Sequence, residues 1–224
     1  MLTLYYFPGA CSMAAHIAVE ETGAPYQAKL VALRDGEQRS PAYLTINPRG
    51  QVPALDVDGR IITENAAILA YLGRSYPTAA LLSSDPVQEA QCLALLTWLS
   101  NTVDKAFRQT VRPERFVTDE AAIPAVQEGG QTIYWNSCQE IDALLAHQPW
   151  LMGERYTVAD PYALLYYGWG IRLKLPMQDL ANFTRHKDRL LERPAVRTVL
   201  QREESPLLKV ARTAEPIDRP RRAS

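Results

Sequence analysis

The sequence predicts two units in series, a mixed α/β domain followed by an all-helical one. Three observations lead there. Short strand-like runs alternate with helical ones only up to about residue 78; a connector rich in Pro and Ser follows; and beyond it apolar residues recur only at helical spacing. The division is read as 1–78, a linker over 79–86, and a helical domain over 87–224.

In order, Leu2 to Tyr6 reads as a strand and Pro8-Gly9 as a turn. Cys11 to Glu21 reads as a helix, with Met13, Ile17 and Val19 among alanines and Gly23 placed to end it. Tyr26 to Leu33 alternates loosely, as a second strand does. Val52 to Val57 and Arg60 to Thr63, joined by Asp58-Gly59, carry the pattern of a hairpin with a tight turn. Glu64 to Ser75 is helical again. The order β-α-β, an irregular stretch, then β-β-α calls for a mixed sheet with helices packed on it. Past the connector, Val87 to Val111, Asp119 to Ala146, Thr157 to Gly168, Asp179 to Glu192 and Pro194 to Gln201 all carry helical patterns. Thr157 and Asp160, three apart before an apolar run, have the logic of a capping box, so Asp160 is read as structural.

Composition narrows the function. Twenty-four basic and 25 acidic side chains leave a net charge of −1, without the positive field of a dedicated nucleic-acid binder. Cys11, Cys92 and Cys138 are scattered and odd in number, as are His16, His147 and His186; neither a disulfide framework nor a metal site is expected. No stretch approaches the roughly 20 apolar residues of a membrane span. The apolar start ending in small residues lacks a positive n-region, since no Lys or Arg precedes Lys29, so it is not read as a signal peptide. The expectation is a cytoplasmic protein that binds neither membrane nor nucleic acid. The C-terminal ARTAEPIDRPRRAS, with four arginines and two prolines, has the composition of a tail.

Three short segments carry chemistry. Cys11 follows a strand and a turn and opens a helix, where the partial positive charge favours a thiolate. In Cys11-Ser-Met-Ala14 no resolving cysteine follows, so redox chemistry there would need a small thiol as partner. A buried, unreactive cysteine is the alternative. Gln51-Val52-Pro53 places an extended residue before proline, with backbone groups that an extended peptide can pair with. Thr63-Glu64-Asn65 opens a helix after a strand, where N–H groups suit a carboxylate and Glu64 suits an ammonium. An amino-acid head carries both groups.

Together these segments resemble a family. Tyr6-x-Pro8-Gly-Ala-Cys11-Ser12, Asn47-Pro-Arg-Gly-Gln-Val-Pro-Ala-Leu55 and Thr63-Glu64-Asn65-x-Ala67-Ile68-x-x-Tyr71-Leu72 resemble the cytosolic glutathione S-transferases, most of all the bacterial beta class. The resemblance runs through Trp98-Leu-Ser and Arg112-Pro-Glu-Arg-Phe116 to Leu151-Met-Gly-Glu-Arg-Tyr-Thr-Val-Ala-Asp160. It implies a thioredoxin-like domain followed by an all-α domain, a homodimer, and glutathione as co-substrate.

Carried across, Cys11 matches the cysteine beside the glutathione sulfur, and Tyr6 and Ser12 match positions of activating hydroxyls. Val52 before a cis Pro53 matches the residue that pairs with the cysteinyl part. Glu64 and Asn65 match the γ-glutamyl site. Gln51 and a basic residue such as Arg34 or Lys105 are candidates for carboxylate contacts. Two departures stand out. Asn65 replaces a small residue after the Glu, and Asp104 replaces a histidine from the first helix of the α domain. An acid near Cys11 opposes thiolate formation, with Lys105 as a possible compensation.

The activity implied is conjugation of the glutathione thiolate to small, mostly apolar electrophiles. Thiol/disulfide or peroxide reduction through Cys11, and glutathione binding with little catalysis, are the alternatives. For the electrophile, Tyr5, Phe7, Phe107, Val111, Tyr166 and Trp169 are candidates, each equally explicable as core.

Overall fold

The computed structural model describes residues 1–210; the arginine-bearing tail lies outside them. Four strands, β1 (Leu2–Tyr6), β2 (Tyr26–Leu30), β3 (Ala54–Val57) and β4 (Arg60–Thr63), form one sheet in the order β2-β1-β3-β4. β1 and β2 run parallel, joined through helix α1 (Ser12–Glu21); β1–β3 and β3–β4 are antiparallel. The sheet is therefore mixed, as the element order requires.

Both faces of β1 are covered. Leu2 and Leu4 pack with Ile17 of α1 and Leu55, while Tyr5, on the other face, meets Tyr43 edge-on at 5.9 Å. Tyr43 belongs to α2 (Pro41–Ile46), a helix inside the stretch the sequence left irregular. Its six residues are too few to show a period, although Ser40 does cap it, accepting from the Tyr43 N–H at 3.1 Å. The Asp58-Gly59 turn has positive φ at both positions, 51° and 84°, as a tight right-twisting hairpin needs. Two strands are shorter than their patterns suggested. β2 ends at Leu30 and β3 begins at Ala54, because Val31 and Val52 leave the sheet to pack with Tyr43.

Helix α3 (Asn65–Ser75) packs beside α1 under the sheet. Helical structure then continues through α4 (Pro86–Trp98), α5 (Asp104–Val111), α6 (Ile123–Leu144), α7 (Ala159–Arg172), α8 (Ala181–Leu191), α9 (Pro194–Arg202) and α10 (Leu207–Val210). α1 is buried from Ser12 to Val19 because α7 and α9 cover the side away from the sheet. Its end is tied to the chain beyond α8, where the Arg193 guanidinium donates twice to Glu21, at 2.7 and 2.9 Å.

Several helix boundaries differ from the sequence reading. The long helix expected over Val87 to Val111 is interrupted by a π-helical turn, Leu99–Val103. The Leu99 carbonyl accepts both the Asp104 N–H, five residues on, and the Tyr166 hydroxyl at 2.8 Å. Thr97 and Ser100 also bond back to carbonyls of the preceding turn. The capping box is half made. Asp160 Oδ2 accepts the Thr157 N–H at 2.7 Å, but the Thr157 hydroxyl accepts from Ala159 at 3.3 Å, and α7 starts at Ala159.

α7 also runs past Gly168, since glycine here serves close packing instead of termination. A Cβ on Gly170 would stand 2.2 Å from the Met177 sulfur. Gly130 is held more tightly still, because its added Cβ would meet Ala106 O and Thr110 N of α5, both at 2.9 Å. Gly130→Ala is expected to destabilise the fold by about 1–3 kcal/mol despite alanine's better helix propensity, seen as a lower midpoint in denaturant. An unchanged midpoint would mean α5 and α6 separate without cost.

Candidate functional site

A cleft forms where the end of β1, the 47–53 loop and the start of α3 face α5 and α7. Cys11, Asn47, Gln51, Val52, Pro53, Glu64, Asn65, Ser100, Asp104, Arg108 and Tyr162 line it. Its cavity volume is only about 70 Å³, room for a few waters, so a larger ligand must extend beyond it.

The 47–53 loop is built from its own hydrogen bonds. The Gln51 carbonyl accepts from Asn47 Nδ2 at 2.7 Å and from the Tyr43 hydroxyl at 2.8 Å. Gly50, at φ 61°, approaches Gln38 so closely that a Cβ would stand 2.7 Å from its carbonyl. The loop delivers Val52 into a cis Val52–Pro53 bond. Among the described residues no backbone carbonyl takes the Val52 N–H, while its own carbonyl accepts the Cys11 thiol at 3.2 Å.

Cys11 stands at the head of α1, but not as a thiolate. Burial first, then the Asp104 carboxylate, push its pKa up to about 12; Arg108 acts the other way. The expectation from the helix N-terminus is thus overturned. The partial charge of a helix end is smaller than the cost of burying a sulfur anion beside a carboxylate. Asp104 itself is buried, and its pKa is raised by that burial against the pull of Arg108.

Glu64 and Asn65 sit where α3 begins. Glu64 has φ 69°, an unusual conformation for a residue with a side chain, and its carboxylate is 63% exposed in the groove, 3.9 Å from Arg49 Nε. Asn65 is 5% exposed; its Nδ2 donates to the Cys11 carbonyl at 2.7 Å. That fixes the amide's orientation and leaves Oδ1 buried and unpartnered among the described residues. The Nδ2 donor is thereby committed to the protein backbone.

Four residues singled out in the sequence lie outside the cleft. Ser12 is fully buried, its hydroxyl donating to the Phe7 carbonyl and accepting the Phe7 N–H, both at 3.1 Å. Tyr6 packs on the His16 ring at 4.6 Å, and burial raises its pKa. Arg34 is exposed in a 3₁₀ turn (Leu33–Asp35) remote from the lining, and Lys105 is exposed on α5. The cation that faces the cleft is Arg108, one helical turn after Asp104. Its Nε donates to Asp104 Oδ1, and its Nη2 lies 4.0 Å from Cys11 Sγ. The sequence reading missed Arg108, Asn47, Ser100 and Tyr162. The i, i+4 acid–base spacing of 104 and 108 was the available signal for the first.

Of the aromatic candidates, Tyr5 and Phe7 pack with Val31, Tyr43 and Val52, and Tyr166 is fully buried. Phe107 and Trp169 stack at 3.9 Å, and Trp169 Nε1 donates to the Gly9 carbonyl at 3.0 Å. The Gly9 N–H donates to Glu203 Oε2 at 3.0 Å, and Glu203 Oε1 lies 2.8 Å from His16 Nδ1, both side chains fully buried. The turn before Cys11 is thus gripped on both its N–H and its C=O. Val111 lines a second, open cleft of about 530 Å³ with Thr110, Arg172 and Lys174.

Comparison with known proteins fits this geometry. A family model described as "Glutathione S-transferase, N-terminal domain" matches residues 1–74. Glutathione S-transferase GstA of Escherichia coli O157:H7 is 31% identical over 205 residues, covering 90% of this chain and 98% of the relative. The chain belongs to the glutathione S-transferase family. Its fold is a thioredoxin-like α/β unit with a helical remainder, and the beta-class resemblance holds. The solved bacterial beta-class glutathione S-transferase of Sphingomonas chungbukensis superposes with a TM-score of 0.80 at 32% identity, covering 90% of this chain and 98% of that one. Another relative, a maleylacetoacetate isomerase of Pseudomonas aeruginosa, is 34% identical over 165 residues, 70% of this chain and 75% of the relative. Among the described residues no group of His, Cys, Asp and Glu is placed to hold a metal, and no helix is long and apolar enough to cross a membrane.

Proposed function

We propose that this transferase binds glutathione in the Cys11 cleft and joins its sulfur to small electrophilic, mostly apolar compounds. The observation that carries the reading is the convergence of three recognition elements on one groove. Val52 offers a backbone N–H to an extended peptide, Glu64 offers a carboxylate to an ammonium, and the first N–H groups of α3 suit a carboxylate. The γ-glutamyl head would fill the last two. The electrophile is assigned to the side of the groove that α5 and α7 line with Asp104, Arg108 and Tyr162. Units of 1–78 and 87–224, a homodimer in solution and a cytoplasmic location complete the reading; sedimentation tests the dimer.

Glu64→Ala is expected to weaken glutathione binding at least tenfold, since it removes the partner of the ammonium. Calorimetry reporting the same affinity in both proteins would remove Glu64 from the site. One observation favours a second reading, the isomerase relative. The same thiolate adding to and leaving a conjugated double bond would isomerise it. Parallel assays with a chlorinated aromatic, maleylacetoacetate and a glutathione mixed disulfide separate conjugation, isomerisation and reduction. Reduction is the least favoured, because Cys11 is held as a buried, neutral thiol.

A further inference from the structure

We propose that Arg108, oriented by Asp104, is the residue that stabilises the reacting thiolate of the bound tripeptide, with Cys11 remaining a neutral thiol beside it. This rests on the glutathione reading above. An extended peptide paired with Val52 brings its cysteinyl sulfur next to Cys11, whose own sulfur donates to the Val52 carbonyl. The cation at that point is Arg108, with Nη2 4.0 Å from Cys11 Sγ.

Its reach is fixed rather than free. The guanidinium is a rigid fork; with Nε committed to Asp104 Oδ1, the Nη2 donor is aimed at the sulfur position. Lys105 is exposed elsewhere, and the Ser12 and Tyr6 hydroxyls lie outside the cleft. The charged or titratable groups facing the sulfur are Asp104 and Arg108 from α5, Glu64 from the start of α3 and Tyr162 from α7. Asp104 and Glu64 disfavour an anion there, Arg108 is the cation that favours one, and Tyr162, its pKa raised by burial, carries no charge.

In the reaction, the thiol proton of glutathione passes to water, leaving a thiolate paired with Arg108. A sulfur lone pair then forms the C–S bond, and in an aryl chloride the chloride departs with the C–Cl electron pair. Asp104 touches no reacting atom; it is a positioning residue, and its own charge works against the thiolate.

That opposition gives the test, read as the ultraviolet thiolate absorption of bound minus free enzyme against pH, with glutathione affinity measured separately by calorimetry. Arg108→Gln is expected to raise the apparent pKa of the bound thiol by about 1–2 units. At neutral pH it should lower kcat/KM for an aryl chloride by about 10–100-fold, with recovery as pH rises. Arg108→Lys, which keeps the charge but not the fork, should recover part of the shift. Asp104→Asn, which can still accept from Nε while losing the negative charge, should lower the pKa by about one unit. A purely structural role for either side chain does not produce shifts of opposite sign. Unchanged pKa in Arg108→Gln and Arg108→Lys, with glutathione still bound, overturns the role of Arg108. Absence of glutathione binding by the unmutated protein overturns the glutathione reading itself.

Discussion

Asp160→Ala is expected to destabilise the fold by about 3–5 kcal/mol, since it leaves several buried hydrogen-bonding groups unsatisfied at about 1–3 kcal/mol each. The side chain is fully buried and uses both oxygens. Oδ1 accepts the Leu151 N–H at 2.9 Å and lies 2.8 Å from His186 Nε2; Oδ2 accepts the Thr157 N–H at 2.7 Å. Truncation leaves two backbone donors and an imidazole without partners inside the helical core. Asp160→Asn keeps one acceptor and should fall between the two. Urea titration followed by circular dichroism reads the difference. A loss below about 1 kcal/mol would show that the loop before α7 finds other partners.

Cys11 should resist alkylation at neutral pH. With its pKa near 12 against an ordinary 9.0, the thiolate fraction at pH 7 is about a thousandfold below that of an exposed cysteine. Iodoacetamide labelling of Cys11, followed by peptide mass analysis, should therefore be slow and rise about tenfold per pH unit well past pH 9. Fast labelling at pH 7 would show that the sulfur is ionised after all. The sign for stability follows. The unfolded chain gives up this proton first, so the neutral thiol supports the native state below pH 9, and that support is lost as pH climbs toward 12. Cys92 and Cys138, also buried and raised to about 11 and 12, act in the same direction. The fold should weaken steadily in alkali. Cys11→Ala should keep much of the conjugating activity, while any exchange through a mixed disulfide at Cys11 disappears.

The sheet and most helices were legible because their signals are local: alternation in Leu2–Tyr6, the Asp58-Gly59 turn, apolar spacing along α6. α2 and the π turn were not. One is too short to show a period, and the other depends on Tyr166 reaching Leu99 across the fold. The same division runs through the site. Cys11, Val52, Pro53 and Glu64 were readable because each belongs to a short contiguous motif. Arg108 was missed, and Ser12, Arg34 and Lys105 were misplaced, because what decides them is which way a helix face turns. Burial, with Asp104, decided the charge of Cys11 in favour of the buried-thiol alternative, and burial is a property of the folded chain.

The grip on Gly9 has a temporal side. Trp169 and Glu203 lie 160 and 194 residues downstream of the glycine they hold, so during synthesis the turn before Cys11 has neither partner until the helical part emerges. The N-terminal residues can form their sheet early, yet the final seating of α1 waits for the far end of the chain. Ligand affinity then reports completion of the polypeptide: a fragment ending just short of Glu203 would carry every cleft-lining side chain and still hold the turn before Cys11 by Trp169 alone.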